Sequence, residues 1–268
     1  MTITFSRHQG TSPLLISIPH DGRRLPPRIA ARMSDEGRAL PDTDWYLRKL
    51  YAFAELSGAT IVAAKYSRYV VDLNRPPDDG ELYQGRVATG VCPLRTFAGA
   101  PIYKDGETVR ERQRTRRIAK YWQPYHAELT EILTHLKEQF GYALLWDAHS
   151  IRSRVPQLFE GDLPDLNIGT NDGRSCPRPA EDAVARVAAA SPYSSVVNGR
   201  FKGGYITRHY GKPNDRIFAM QLEMAQRCYM SEETMRYDTK RAAMLCATLS
   251  EMLAAFETSA ASFVEASD

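Results

Sequence analysis

The sequence predicts an α/β fold with helices on both faces of a central sheet, on two observations. Six short apolar runs closed by turn residues alternate with longer segments of helical periodicity. The chain also has 268 residues, 43% of them hydrophobic and 25% charged, which is enough for a core of useful size. We therefore expect a single α/β domain over residues 1–268.

The predicted elements follow the apolar patterns in chain order. Strands are predicted over residues 13–20, 59–66, 69–74, 142–150, 194–200 and 216–224. Helices are predicted over residues 42–56, 106–140, 178–191 and 238–260. The first helix opens with an aspartate at a cap position. Pro124 lies inside the second helix and should kink it, because proline has no backbone N–H to donate.

Two further segments lack strong periodicity. Residues 75–103 are rich in proline and glycine. A loop of that length within a domain is usually functional, so we expect it to form a lid or a pocket wall. Residues 261–268 are expected to form a flexible tail.

Composition and short motifs argue against several classes of partner and cofactor. The net charge is only +3 and the basic residues are scattered, which does not favour nucleic acid. No apolar run reaches the ~18 residues of a membrane span. No Walker, dinucleotide-binding or Gly-x-Ser-x-Gly pattern is present, so neither a nucleotide cofactor nor a serine nucleophile is supported.

The cysteines bear on the cellular compartment. They are widely spaced, without a Cys-x-x-Cys pair, at Cys92, Cys176, Cys228 and Cys246. This spacing favours free thiols in a reducing cytosol. The N-terminus also lacks the basic-then-apolar pattern of a signal peptide, so a cytoplasmic location is expected.

Polar residues stand at the ends of four predicted strands, where open α/β sheets bind their ligands. They are His20, Asp72, Asn74, Arg75, Asp147, His149, Gln221 and Glu223. Two histidines with carboxylates and an open position suit catalytic zinc. The third ligand would be Asp42 or Asp44 of "LPDTDW", although a helix cap is the alternative for either. Asp147 could instead orient a histidine from behind.

Glu223 is costly inside an apolar strand unless it is paired or used in catalysis. It is therefore either a general base or one half of a buried pair with Arg208 or Arg227. The glycine-rich segment "KGGYITRHYG" at residues 202–211 lacks phosphate-loop spacing and is interpreted as a mobile substrate loop, which contains Tyr205 and Arg208.

Taken together, six segments resemble the N-formylglutamate amidohydrolase (N-formylglutamate deformylase) family. They are "SIPHDG", "PDTDWYLRKLY", "YSRYVVDLNRP", "WDAHSI", "NGRFKGGYITRHYG" and "QLEMAQRCYM", in family order between about residue 13 and residue 230. The family is similar in turn to zinc carboxypeptidases and aspartoacylases. The resemblance implies a mixed, mostly parallel central sheet of the zinc-carboxypeptidase type.

The resemblance also implies one divalent metal ion, with zinc as the expected metal. Its ligands would be His20, Asp44 and His149, with Asp42 behind them. Glu223 matches the late general base of that group. Substrate-binding residues would be Asn74 and Arg75, similar to a carboxypeptidase pair that grips a carboxylate, together with Tyr205 and Arg208.

The implied reaction is hydrolysis of N-formyl-L-glutamate to formate and L-glutamate, the last step of one histidine-degradation route. The expected partner is thus a small dicarboxylate N-acyl amino acid, with no nucleic acid and no membrane. Two alternatives remain at this stage. One is a related zinc amidase acting on another N-acyl amino acid, and the other is a non-catalytic ligand-binding relative.

Overall fold

The central sheet has seven strands within the residues that the computed structural model describes, 3–80 and 89–266. In chain order they are β1 (Phe5–His8), β2 (Leu14–Ile18), β3 (Thr60–Ala64), β4 (Ala143–Ile151), β5 (Leu166–Gly169), β6 (Ser195–Val197) and β7 (Ile217–Ala225). Their spatial order is β1-β3-β2-β4-β7-β5-β6. Only the β1–β3 and β5–β7 pairings are antiparallel, so the sheet is mixed and mostly parallel, as expected.

Helices cover both faces of this sheet. They are α1 (Pro27–Ala30), α2 (Asp35–Ala39), α3 (Leu47–Leu50), α4 (Glu111–Arg117), α5 (Gln123–Phe140), α6 (Arg178–Ala190), α7 (Tyr205–Tyr210) and α8 (Thr239–Glu265). One core cluster packs α3, α6 and α8 on one face, and a second packs α5 and α7 on the other. A two-stranded hairpin of β8 (Met230–Ser231) and β9 (Arg236–Tyr237) precedes α8.

Strand β4 shows how the pleat divides these two cores. Leu144 and Trp146 face the α6/α8 side, whereas Leu145 faces the α5/α7 side. Because alternate side chains point to opposite faces, Asp147 and His149 follow Leu145 on the α5/α7 side. All nine residues of β4 are buried, which is typical of a parallel strand covered on both faces.

Five of the six predicted strands are confirmed, and the strand predicted at residues 69–74 is wrong. This segment is buried, but its backbone makes turn and loop bonds rather than a ladder. The N–H of Val70 donates to Ser67 O at 2.8 Å, and that of Asp72 donates to Val91 O at 2.7 Å. Strands β1 and β5 were not predicted, because each has four residues and carries little apolar patterning.

The helix predicted at 42–56 begins only at Leu47 and becomes a 3₁₀ turn at Tyr51–Glu55. Neither aspartate of the segment caps it. Tyr46 adopts a left-handed φ of 65°, which separates the preceding turn from the helix. The first N–H groups are satisfied by Asp21, whose carboxylate accepts from the backbone of Tyr46 at 3.1 Å and Arg48 at 3.0 Å.

The helical stretch predicted at 106–140 begins at Glu111 and contains a π turn, Ile118–Trp122, directly before Pro124. The N–H of Gln123 donates to Ile118 O, five residues back. Since Pro124 has no N–H to donate, the helix loses one regular bond here, and the widened turn lies where the kink was expected.

Two segments, the tail at 261–268 and the loop at 75–103, were predicted to lack regular structure. Helix α8 continues to Glu265, so the expected tail at 261–268 is helical over most of its length, and Phe263 packs against the core. Residues 75–80 and 89–103 form no regular helix or strand, and 81–88 of the predicted loop lie outside the described residues. The four cysteines carry free thiols.

Among the helices that the structure describes, none is both long enough and apolar enough to cross a bilayer.

We expect Asp238→Ala to lower the free energy of unfolding by about 1 kcal/mol, because the Asp238 carboxylate accepts from the N–H groups of Lys240 and Arg241 at the start of α8. Thermal denaturation followed by circular dichroism would measure this. Glu251→Ala, on the exposed side of the same helix, is the matched control. Equal melting temperatures for the two variants would contradict the capping role.

Candidate metal and substrate site

The three parallel strands β2, β4 and β7 lie side by side and bring the predicted polar residues together. Asp147 is opposite Gln221, and His149 is opposite Glu223, on the neighbouring strand. His20 follows the end of β2, which pairs with β4 up to Asp147. The ends of these strands therefore bring His20, Asp147, His149, Gln221 and Glu223 close together at one edge of the sheet.

A buried cluster of His20, Asp44 and His149 lies at this edge of the sheet. Each residue offers one ligand atom, and the three atoms lie within 4.8 Å of one another. The backbone holds Asp44 in place from two directions. Its N–H donates to His20 O at 3.1 Å, and its Oδ2 accepts from the N–H of Ser150 at 3.1 Å. Of the two candidate acids, Asp44 is the one in the cluster.

The imidazole of His20 is oriented for a ligand at Nδ1. Its Nε2 lies 2.8 Å from Oδ1 of Asp72, and since a carboxylate only accepts, Nε2 carries the hydrogen. Nδ1 is buried, has no hydrogen-bond partner in residues 3–80 or 89–266, and lies 3.7 Å from Oδ2 of Asp44. A histidine whose far nitrogen donates to a carboxylate is the arrangement that metal sites use.

His149 lies between two acids and an amide. Its Nδ1 is 3.1 Å from Oδ2 of Asp44, and its Nε2 is 3.1 Å from Oδ1 of Asp147. The amide nitrogen of Asn74 lies 2.9 Å from the same Nε2. Asp147 thus stands behind the histidine on the side away from Asp44, as its alternative orienting role predicted.

The electrostatics of the cluster favour a cation. Burial disfavours the imidazolium of His149, but the carboxylates of Asp147 and Asp44 outweigh it and raise its pKa well above the usual value. Burial likewise disfavours the carboxylate of Asp72, yet Arg68 and His20 lower its pKa well below the usual value. Two imidazoles and one carboxylate are ligands that suit zinc, so these residues fit a divalent metal.

Arg68 was not singled out from the sequence, although it connects the acids of the site. Its guanidinium donates to Oδ2 of Asp72 at 2.7 Å and lies 3.7 Å from Oδ1 of Asp44. It also lies over the ring of Phe97. Arg68 belongs to the quoted segment "YSRYVVDLNRP", but nothing in the local pattern distinguishes it from a surface arginine.

The carboxylate of Asp42 makes different contacts from that of Asp44. Its Oδ2 accepts from the hydroxyl of Tyr69 at 2.6 Å and from the N–H of Phe97 at 2.8 Å. Burial raises the pKa of Asp42, although these bonds act in the opposite direction. Asp42 therefore ties the loop around Phe97 to the cluster from behind.

Glu223 faces the same crevice without a partner for its carboxylate in the described part of the chain. Both arginines proposed as its alternative partners are engaged elsewhere. Arg227 pairs with Asp165 at 2.9 Å, and the Nε of Arg208 donates to Gly203 O at 2.8 Å. Burial raises the pKa of Glu223 to about 8, because its effect is larger than the opposing effects of His149 and Arg68.

A cavity of about 720 Å³ opens over the cluster and Glu223. Its charged wall includes Arg68, Arg75, Arg95, Arg114 and Arg200, and its apolar wall includes Leu94, Phe97, Val109, Ile151, Leu158 and Phe201. Several of these residues belong to the described parts of the segment 75–103, which was predicted to form a lid or a pocket wall.

Arg75 lies at the cavity wall without a carboxylate partner in the ranges described. Its Nε donates to Thr89 O at 2.8 Å and its Nη1 to Asn74 O at 3.0 Å. It forms no ion pair with Asp72 or Asp147, the two carboxylates that a purely structural role would use. Its guanidinium remains able to receive an anion.

Asn74 also lies at the cavity, but its side-chain amide is engaged with the protein. Its nitrogen contacts His149 and also donates to Oδ2 of Asp147 at 3.3 Å. Its oxygen accepts from the N–H of Ile206 at 2.8 Å, in the first turn of α7. These contacts make Asn74 a positioning residue in this structure.

Tyr205 and Arg208 are not brought to the cavity, and the mobile loop predicted at 202–211 is wrong. Residues 205–210 form helix α7, in which the Tyr205 ring stacks on His209 and contacts Trp122. Arg208 turns away toward Gly203 and Asn171. Arg200 and Phe201, just before the glycines, line the cavity instead.

The model of the N-formylglutamate amidohydrolase family matches residues 12–230. The chain is 54% identical over 234 residues to an N-formylglutamate deformylase of Pseudomonas aeruginosa, covering 87% of this chain and 88% of the relative. A deformylase of Pseudomonas putida is 53% identical, with 87% of each chain covered. A solved N-formylglutamate amidohydrolase from Ralstonia eutropha JMP134 superposes with a TM-score of 0.80, 25% identity and 99% coverage of both chains.

A solved gene product from Agrobacterium tumefaciens shares the fold, with a TM-score of 0.72, 17% identity, and 95% and 96% of the two chains covered.

We expect the chain to bind one divalent metal ion, and His20→Ala to abolish that binding, because it removes Nδ1, a candidate ligand atom with no hydrogen-bond partner among the described residues. Metal content after dialysis, measured by mass spectrometry, tests this. His135→Ala removes a histidine of α5 outside the cluster and serves as the control. One equivalent of tightly held metal in a His20→Ala, His149→Ala double variant would contradict the assignment.

Proposed function

The chain belongs to the N-formylglutamate amidohydrolase family, and we propose that it hydrolyses N-formyl-L-glutamate to formate and L-glutamate. The observation that carries this proposal is the 53–54% identity to two relatives named N-formylglutamate deformylase, over almost nine tenths of each chain. The geometry supports it independently, since one cavity is lined by several arginines, a cluster that could hold a metal ion, and a carboxyl with no partner among the described residues.

His20, Asp44 and His149 would hold the metal ion, with Asp72 orienting the His20 ring and Asp147 lying 3.1 Å from Nε2 of His149. A divalent ion bound there supplies a Lewis acid for the formyl carbonyl and for water. The backbone N–H of Ser150 and the guanidinium of Arg68 keep Asp44 oriented toward the histidines.

Glu223 would act as the general base. It lies beside His149 on the adjacent strand. Its carboxyl faces the cavity and has no hydrogen-bond or ion-pair partner among the described residues. It takes a proton from the attacking water and gives it to the amide nitrogen as the C–N bond breaks. A pKa raised by burial to about 8 makes the charged carboxylate a stronger base than an exposed glutamate.

The arginines of the cavity wall would bind the two carboxylates of the substrate. A guanidinium matches a carboxylate with two parallel N–H donors. Arg75 makes only carbonyl contacts, and Arg95, which donates to Gly99 O at 2.8 Å, has no ion pair in the described part of the chain. We assign Arg75 to one carboxylate and Arg95 to the other, in place of Arg208.

We also propose the finer context that the family resemblance implies. The reaction would end a histidine-degradation route in the cytoplasm, and zinc would be the metal. Four free thiols are compatible with a reducing compartment.

Release of the acyl group as its free acid, formate or acetate, from a panel of N-acyl amino acids tests the proposed reaction directly. The panel should include N-formyl derivatives of glutamate, aspartate and glutamine, and N-acetylglutamate, each with and without a chelator and added zinc. We expect N-formylglutamate to give the highest kcat/KM and the chelator to remove the activity. Faster release of a larger acyl group would instead indicate the related zinc amidase.

We expect Glu223→Gln to retain the metal ion and lose turnover, because the amide keeps the shape of the side chain and cannot accept the proton. Loss of general acid–base help costs roughly 10²- to 10⁴-fold in kcat. Stopped-assay kinetics with metal content measured on the same sample would show this. A near-normal kcat would return Glu223 to a structural role.

We expect Arg75→Lys to raise KM for N-formylglutamate by roughly tenfold or more, because a lysine cannot offer two parallel donors to one carboxylate. The effect should be much smaller for N-formylglutamate α-amide, which lacks one carboxylate. Metal content and melting temperature are the controls. Equal losses with both substrates, or loss of the metal, would contradict the carboxylate-binding role.

A further inference from the structure

The segment that carries Asn74 and Arg75 has no regular structure, yet external donors hold three successive carbonyl groups of it. The Nε2–H of His126 donates to Leu73 O at 2.9 Å, and the indole N–H of Trp122 donates to Arg75 O at 3.0 Å. The N–H of Tyr205 points to Asn74 O at 3.4 Å. One donor comes from the π turn that precedes α5, one from the first turn of α5 and one from α7.

The π turn at Ile118–Trp122 positions the side chains of Trp122 and His126, the first two donors. Trp122 closes this turn, and His126 lies one turn further along α5. Their rings stack with centroids 3.8 Å apart, so both side chains project from the same side of the helix. Widened turns of this kind occur frequently at functional sites, where they re-aim side chains.

His126 is fixed in one tautomer. Burial lowers its pKa to about 3, so the ring is neutral. Because Leu73 O can only accept, Nε2 carries the hydrogen and Nδ1 accepts from the hydroxyl of Tyr210 at 2.9 Å. Tyr210 ends α7, and the start of α7 is held by Asn74 through Ile206. Helix α5, the 73–75 segment and α7 therefore form a closed ring of contacts.

We propose that Trp122 and His126 are positioning residues that hold Arg75 in the substrate cavity and Asn74 against His149. Neither side chain is among the cavity-lining residues in the described ranges, so their influence acts through the carbonyl groups they bind. The proposal rests on the proposed function, because Arg75 is taken to bind a substrate carboxylate.

Trp122→Phe tests the proposal, since it keeps an aromatic ring on His126 and removes the indole donor. We expect KM for N-formylglutamate to rise by roughly 3- to 10-fold, the effect of losing one hydrogen bond, with kcat nearly unchanged. N-formylglutamate α-amide, which lacks one carboxylate, should show a smaller change.

The matched control is Trp146→Phe, in which the lost indole N–H donates to the Tyr51 hydroxyl at 2.9 Å in the core on the opposite face of the sheet. Both variants should lower the melting temperature, and only Trp122→Phe should raise KM. An unchanged KM in Trp122→Phe, or the same rise in both variants, would overturn the positioning role.

A second pair of variants addresses His126. His126→Gln keeps a donor near the position of Nε2, whereas His126→Met does not, so KM should stay near the wild-type value in the first and rise in the second. Equal KM values in this pair would also overturn the proposal. Wild-type formate release and Arg75→Lys, measured alongside, test the proposed function separately from the role of Trp122 and His126.

Discussion

A buried excess of negative charge is the constraint on which the site depends. Asp44, Asp72 and Asp147 are each at most 2% exposed, and Arg68 is the one guanidinium within the described residues that bonds to this group. Burying carboxylates without compensation costs far more than apolar burial repays. The histidines supply part of the compensation, and a divalent cation would supply the rest. Binding of such a cation would therefore be linked to local folding at this edge of the sheet.

The part of the site that lies on parallel strands could be predicted from the sequence. Polar residues that interrupt apolar runs are visible locally, so Asp147, His149 and Glu223 could be placed on neighbouring strand ends. The choice between Asp42 and Asp44 could not be made this way. Both lie in one turn, and the contacts that separate them come from residues 20 and 150 for one and from residue 97 for the other.

The segments predicted wrongly fail for a common reason, which is that tertiary contacts replace the expected local structure. The 69–74 segment has the apolar content of a strand because it is buried, but its backbone bonds to distant loops. The glycines near residue 204 suggest mobility, yet Gly204 is required by packing. A Cβ there would lie 2.3 Å from the side-chain nitrogen of Asn74. Close approach to another chain segment, rather than flexibility, explains the glycine.

The site thus has two parts of different construction. The groups proposed for acid–base chemistry and metal binding sit on or beside buried strands, where the ladder fixes their spacing. The residues assigned to substrate carboxylates sit on irregular segments that depend on donors from the π turn, α5 and α7 and on the Asp42 carboxylate as an acceptor. Under the proposed function, changes in those supports would shift substrate preference while the strand-end groups keep their spacing. In a family whose relatives share the sheet, differences in specificity should therefore arise in the segments around residues 68–75 and 94–101 rather than in the strand ends.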